Sequence, residues 1–306
     1  MIVQHLTMPP YNTTLMGVVH GALRHFGRDL SAATVFGVSG HAFLVNIHTE
    51  LCPSGPYVWN HEGFFRLIEH LGIRSRFLGF FSGESGRQER SALEAEVRKA
   101  LDSGKLASLS QMENQLIAGY DDTGLSLVRP WDCGEGGPPA RLTYGSWNEF
   151  GTSVHASFFV LEPGEPSAPL DATIASLEYA LDLSRSPERY AVPGYAIGSS
   201  AYKTWAEAIP QHGATHGQWW NATVWSECRA MASARFREIA DTWPAAGSLA
   251  GALSVRYQIV ARSLAQAADK QMENGAKVEL IRQAGATEAD AMPLIKELID
   301  VLARES

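Results

Sequence analysis

The sequence predicts an α+β domain followed by an all-α domain. Two observations carry the prediction. In the first half, segments of helical period alternate with short strand-like runs separated by turn signals; beyond a Pro-rich break, "EPGEPSAPL" (Glu162–Leu170), almost every segment has helical period. Length agrees with this division, because a single core stops growing at roughly 250–300 residues, and the chain has 306. The expected domains are 1–163 and 164–306.

The elements follow in order. "TLMGVVHGALRHFG" places Leu15, Val18, Val19, Ala22, Leu23 and Phe26 on one helical face, with Gly27 positioned to stop the helix. "HAFLVNIHTEL" alternates as a strand does and runs into the turn cluster "CPSGP". "HEGFFRLIEHLG" reads as a short helix closed by Gly72. In "SALEAEVRKALDSG", Ser91 and Glu94 have capping-box spacing and Gly104 ends the helix. The runs "LASLSQ", "NQLIAGY" and "GLSLVRP" read as strands, the last two joined by a turn at Asp121–Gly124, and "ASFFVLEP" reads as one more. In the second half Trp225, Cys228, Ala232, Phe236, Ile239 and Trp243 recur three or four apart, and Thr287 is placed to cap a last helix through "LIKELIDVLA".

A composition 45% hydrophobic and 19% charged is that of a globular chain with ample core material. The net charge of −8 and pI near 5.7 argue against a polyanion binder, since phosphate neutralisation needs a surplus of Lys and Arg on one face. No nucleic-acid partner is expected. No run reaches the ~18 apolar residues of a membrane helix, and no membrane partner is expected. The cysteines, Cys52, Cys133 and Cys228, fit neither a disulfide framework nor a CxxC metal site. They suggest a reducing, cytoplasmic location.

Chemistry-bearing residues have plain readings beside functional ones. Cys52 lies within the span of His41, His48 and His61, a candidate thiol–imidazole pair or a small buried hydrophobe. His41, in the glycine-rich "SGHAF", is either a cleft residue or a buried structural histidine. The three histidines match no metal-ligand spacing, so no metal is expected. Asp121 and Asp122 suit a solvated hairpin turn. "VFGVSG" lacks phosphate-loop spacing and its lysine, so nucleotide binding is set aside and no cofactor is expected.

Three stretches, "TLMGVVHGALRHFG", "VFGVSGHAFLVNIH" and "ENQLIAGYDD", resemble the butirosin biosynthesis protein H N-terminal-like family. More distantly they are similar to the double-glycine leader peptidases, which have a papain-like cysteine-peptidase fold. The resemblance covers Met1 to Pro163 and implies that fold there. It places the family's nucleophilic cysteine on Thr14 and its histidine on Glu113. The third catalytic position falls on Arg129, or on Asp132 if the register slips. The catalytic residue types are therefore replaced. A threonine hydroxyl lacks a thiol's acidity, and a glutamate is a base near neutral pH only with a raised pKa. Two functions follow as expectations. One is a degenerate module that binds a small peptide or acylated metabolite in the former cleft, lined by Thr13 and Thr14. The other is an amide- or acyl-processing enzyme using Thr14 with Glu113, or a relocated Cys52.

Tryptophans Trp205, Trp219, Trp220, Trp225 and Trp243 all fall in the helical half. Adjacent residues on a helix point roughly 100° apart, so Trp219 and Trp220 cannot both face one core. One of them, with Asn221, is expected to cover the first domain and wall its cleft, or to meet a second copy of the chain in a homodimer.

Overall fold

The computed structural model describes residues 1–131, 137–151 and 154–305. Helix α1 (Thr14–His25) is followed by α2 (Ala32–Val38), a 3₁₀ turn at His41–Phe43, strand β1 (Asn46–His48), α3 (Glu62–His70), β2 (Ile73–Ser82) and α4 (Arg87–Asp102). Strands β3 (Leu106–Ser110), β4 (Asn114–Tyr120), β5 (Gly124–Leu127), β6 (Arg141–Thr143) and β7 (His155–Pro163) come next. The remainder is helical apart from β8 (Tyr195–Ile197): α5 (Pro169–Arg185), α6 (Ser199–His212), α7 (His216–Thr242), α8 (Gly247–Ala267) and α9 (Asn274–Leu302). The chain is thus α+β with a helical C-terminal region. Among the described residues no helix is long and apolar enough to cross a membrane.

Two compact units form, and neither is continuous in sequence. One comprises Met1–Leu30 and Leu71–Pro166; the other comprises Ser31–His70 and Ser167–Ser306. The third crossover, at 166/167, lies close to the expected boundary at 163, but residues 31–70, read from sequence with the first domain, pack with the helices.

In the first unit a six-stranded antiparallel sheet has the order β2-β7-β3-β4-β5-β6. Helix α4 contributes Leu93, Val97 and Leu101 to a core with Leu109, Ile117, Leu125 and Phe158 on one face of the sheet. Helix α1 packs against β4 from the other face, where an added Cβ at Gly21 would meet the Thr7 carbonyl at 2.4 Å and Leu116 at 3.0 Å. Gly21 therefore sets how closely α1 approaches the Thr7 backbone and, through the Leu116 side chain, the sheet. Strand β4 is covered on both faces, which explains its nearly unbroken apolar run.

Several local expectations change. Only Asn46–His48 of "HAFLVNIHTEL" is a strand, pairing with β8. Residues 41–47 are all buried, so alternation there carried no information about faces. Helix α4 begins at Arg87, where Glu89 accepts from the Gly86 N–H at 3.0 Å. Glu94 is not a cap: it is buried and accepts from the Gly145 N–H at 2.8 Å and the Trp147 indole at 3.2 Å. Thr287 lies inside α9 and donates back to the Gln283 carbonyl instead of capping. Strand β2 went unread because Arg74 and Arg76 interrupt its apolar residues.

The second unit is organised around Arg229 on α7, which is fully buried. Its Nε and Nη2 donate to Glu288 on α9, at 2.9 and 2.8 Å. The remaining donors take the carbonyls of Ala42 and Phe43, at 3.1 and 3.3 Å, and of Leu44. Nearby, the loop after β1 presses on the start of α7, where a Cβ at Gly217 would stand 1.8 Å from the Leu51 carbonyl.

That contact separates two effects of one substitution. In the interior of α8, Gly251 has no neighbour within 4 Å of an added Cβ, so Gly251→Ala should stabilise by about 0.5–1 kcal/mol through helix propensity. Gly217→Ala meets backbone, and overpacking should destabilise by about 1–3 kcal/mol. Urea midpoints for the two variants should move in opposite directions.

Candidate functional site

The site is assembled in the first unit, where α1 begins beside the start of β4. Thr13 immediately precedes the helix, and its carbonyl accepts from the Met16 and Gly17 N–H groups at 2.9 and 3.2 Å. Thr14 opens the helix and is 1% exposed. Packing of α1 on β4 brings Thr14 to Glu113, the residue before that strand, although the two are 99 positions apart: the Thr14 hydroxyl donates to Glu113 Oε2 at 2.7 Å. The two residues that the resemblance set at the nucleophile and histidine positions are thus in direct contact.

Asn114, which the sequence reading passed over, completes the arrangement. Its backbone N–H and its side-chain Nδ2 donate to Thr14 Oγ1 at 3.0 and 3.2 Å. A threonine hydroxyl has one proton to donate and two lone pairs to accept with. All three are occupied here. Its lone pairs are therefore engaged, which lowers the hydroxyl's capacity as a nucleophile. The signal was present in the sequence, since Asn114 adjoins Glu113 in "QMENQ", but only the backbone geometry turns its amide towards α1.

On the same helix, His20 Nδ1 lies 2.8 Å from the Tyr11 hydroxyl. Burial, aided by Arg24, lowers the imidazole's pKa and favours its neutral form. Arg129 is exposed just beyond β5. Asp132 lies outside the described residues. At the β4–β5 turn Asp121 Oδ1 accepts from Arg141, and from the Thr123 and Gly124 N–H groups. Arg141 first, and then Thr123, hold its carboxyl well below the usual range. The aspartate thus closes a solvated turn.

The other candidates fall in the second unit. His41 is buried, with Nδ1 3.5 Å from Cys228 Sγ, and its ring stacks on Trp225 with centroids 6.0 Å apart. The thiol beside this histidine is therefore Cys228, where the sequence suggested Cys52. His61 stacks on Trp59 at 3.9 Å, and His48 meets Tyr195 edge-on at 4.9 Å. Among the described residues no group of three His, Cys, Asp or Glu side chains gathers to hold a metal.

Cys52 is half-buried, and its carbonyl accepts from Asn221 Nδ2 at 3.0 Å. Trp220 is buried and donates from its indole to the Tyr57 hydroxyl at 3.0 Å. Trp219 lies 5.6 Å from the Trp220 ring and shares His216 with it, and Lys270 stands 4.4 Å from its ring centroid. Trp220 and Asn221 meet the loop at 52–57, which was read with the first domain and packs here in the same unit as α7.

Neither a protein-family model nor a curated protein matches this chain.

Replacing Thr14 tests the saturated hydroxyl. Thr14→Val keeps the shape and strands the two Asn114 donors, so it should lower stability by about 1–3 kcal/mol, whereas Thr14→Ser should cost well under half of that. Chemical denaturation of both variants measures the difference.

His41 makes a pH prediction. Burial, with a contribution from neighbouring His61, lowers its pKa to about 3. Below the unfolded value near 6.5 the unfolded chain binds a proton that the fold refuses, so stability falls as pH falls towards 3. Between pH 7 and 5 this one group should remove about 2 kcal/mol of unfolding free energy, at ~1.4 kcal/mol per pH unit below 6.5. His41→Phe should lose correspondingly less over the same interval in urea titrations.

Proposed function

We propose that the unit of Met1–Leu30 and Leu71–Pro166 is a papain-like module that has given up acyl chemistry and binds a small peptide or acylated metabolite beside Glu113. The saturated Thr14 hydroxyl carries this reading. It is 1% exposed and engaged at every hydrogen-bonding position, so attack on a carbonyl would require breaking a bond to Asn114 as well as admitting substrate.

Glu113 is half-buried and retains contact with solvent, and Met112 beside it is 75% exposed. A carboxylate accepts an amide N–H, and a flexible thioether adapts to an aliphatic chain. Peptides and N-acyl metabolites share that pairing of an amide with an apolar group.

A second reading keeps the pair as an acyl- or amide-processing site. The 2.7 Å Thr14–Glu113 contact favours it, because a carboxylate bonded to a hydroxyl proton is also the geometry of general-base activation.

One experiment decides between them. N-acetyl and N-butanoyl dipeptide amides are titrated calorimetrically into wild type, Glu113→Ala and Thr14→Val, with products followed by mass spectrometry. Binding that is saturable, weakened about tenfold in Glu113→Ala by loss of a charge-assisted hydrogen bond, and unaccompanied by turnover is expected. Turnover lost in Thr14→Val would establish the enzyme instead. Failure of every probe to bind would overturn the binding role.

A further inference from the structure

In the second unit a surface groove runs between α6 and α9. It has a volume of about 300 Å³ and is lined by Ser199, Tyr202, Lys203, Glu207, Arg282 and Gly285, among others. A smaller pocket of about 20 Å³ lies against it and shares Ser199, Tyr202 and Gly285 as lining. That volume holds one water-sized group, which needs about 10–15 Å³. Tyr257 and Glu288 also line the pocket.

The chemistry of that pocket is unbalanced. Tyr257 is 0% exposed, and among the described residues its hydroxyl has no hydrogen-bond partner. An unsatisfied buried hydroxyl costs about 1–3 kcal/mol. Glu288 is largely but not fully engaged. Its Oε2 accepts from the Tyr202 hydroxyl and from Arg229 Nε, and its Oε1 accepts from Arg229 Nη2. A carboxylate accepts about four hydrogen bonds, so Oε1 has a position left. A phenol without a partner and an acceptor with room thus line one space sized for a single hydroxyl. Burial raises the pKa of both phenols well above the ordinary tyrosine value, so each remains a neutral O–H.

We propose that the groove and its pocket bind a neutral polyol, one hydroxyl of which enters the pocket, accepts from Tyr257 and donates to Glu288. Charge selects the neutral class. Lys203 pairs with Glu207 at 4.0 Å and Arg282 with Glu279 at 2.9 Å, while Arg229 already balances Glu288. Each cation at the groove stands beside a carboxylate, so the mouth carries no net charge to favour an anion or a cation. Shape agrees: the pocket admits one hydroxyl, and the groove beside it has room for the rest of a small ring.

The test uses the full chain with glucose and myo-inositol as probes, and permethylated glucose as the control that cannot donate. Binding is followed by calorimetry and by ligand-observed saturation-transfer NMR. Saturable millimolar binding of at least one hydroxylated probe is expected, absent for the permethylated control. Tyr257→Phe should weaken it about tenfold, the scale of one lost hydrogen bond. The variant keeps its fold because the deleted hydroxyl has no partner among the described residues, and an unchanged circular-dichroism spectrum checks this. Lys99→Ala, at an exposed position of α4 in the first unit, should leave binding unchanged. Absence of saturation, or equal binding by wild type and Tyr257→Phe, would overturn the proposal and leave the pocket to a structural water.

Discussion

The guanidinium of Arg229 has five N–H groups, and every one has an acceptor inside the protein. Burying a charge without such partners costs several kcal/mol, so each bond also dictates position. Three of the acceptors are consecutive carbonyls at the 3₁₀ turn, where the backbone would otherwise be buried without partners. The other two belong to one carboxylate on α9. A single side chain on α7 thereby fixes where residues 42–44 lie and where α9 passes. The allegiance of 31–70 to the helical unit follows from it. Such a pair is poor evidence of net stability and good evidence of specified geometry, because moving either partner strands the other.

In the first unit the determining constraint is the close approach of α1 to β4. Gly21 permits the approach, and Thr14, one and a half to two turns earlier, meets the end of the strand. Hydrogen bonding then resolves which chemistry the contact supports. A hydroxyl facing only Glu113 would resemble an activated nucleophile. The two donors from Asn114 turn the same hydroxyl into a link between helix and strand, and leave Glu113 as the group in contact with solvent.

What was legible in the sequence was what depends on local pattern. Helix α1 and its stop at Gly27, strands β3, β4, β5 and β7, and the stripe from Trp225 to Ile239 were all readable from period and punctuation. Thr14 and Glu113, named together in the sequence analysis, do meet in the structure, although no local pattern connects positions 99 apart. Asn114 was not, because nothing in its identity says that it points at α1. Glu94 was misread for a physical reason: its spacing from Ser91 satisfies a local rule, while a buried contact to the turn at 145–147 wins. Arg229 and Glu288 sit 59 positions apart on different helices, and a buried ion pair leaves no periodic trace. Tyr257, similarly, reads as ordinary core until its hydroxyl is found without an acceptor.

The interleaving of the two units has a consequence for how the chain is made. It passes between them at 30/31, 70/71 and 166/167. At a synthesis rate of roughly 5–20 residues per second, residues 31–70 emerge well before the helices they pack against. The carbonyls of Ala42, Phe43 and Leu44 wait for Arg229, about 185 positions later, on the order of ten seconds or more. During that interval the apolar residues from Phe36 to Ile47 have no finished core to enter. The first unit, in contrast, has all its strands once residue 166 is out. The protein therefore has a vulnerable period written into its topology: the segment most in need of a chaperone is neither terminus but the loop of chain paid out early and claimed last.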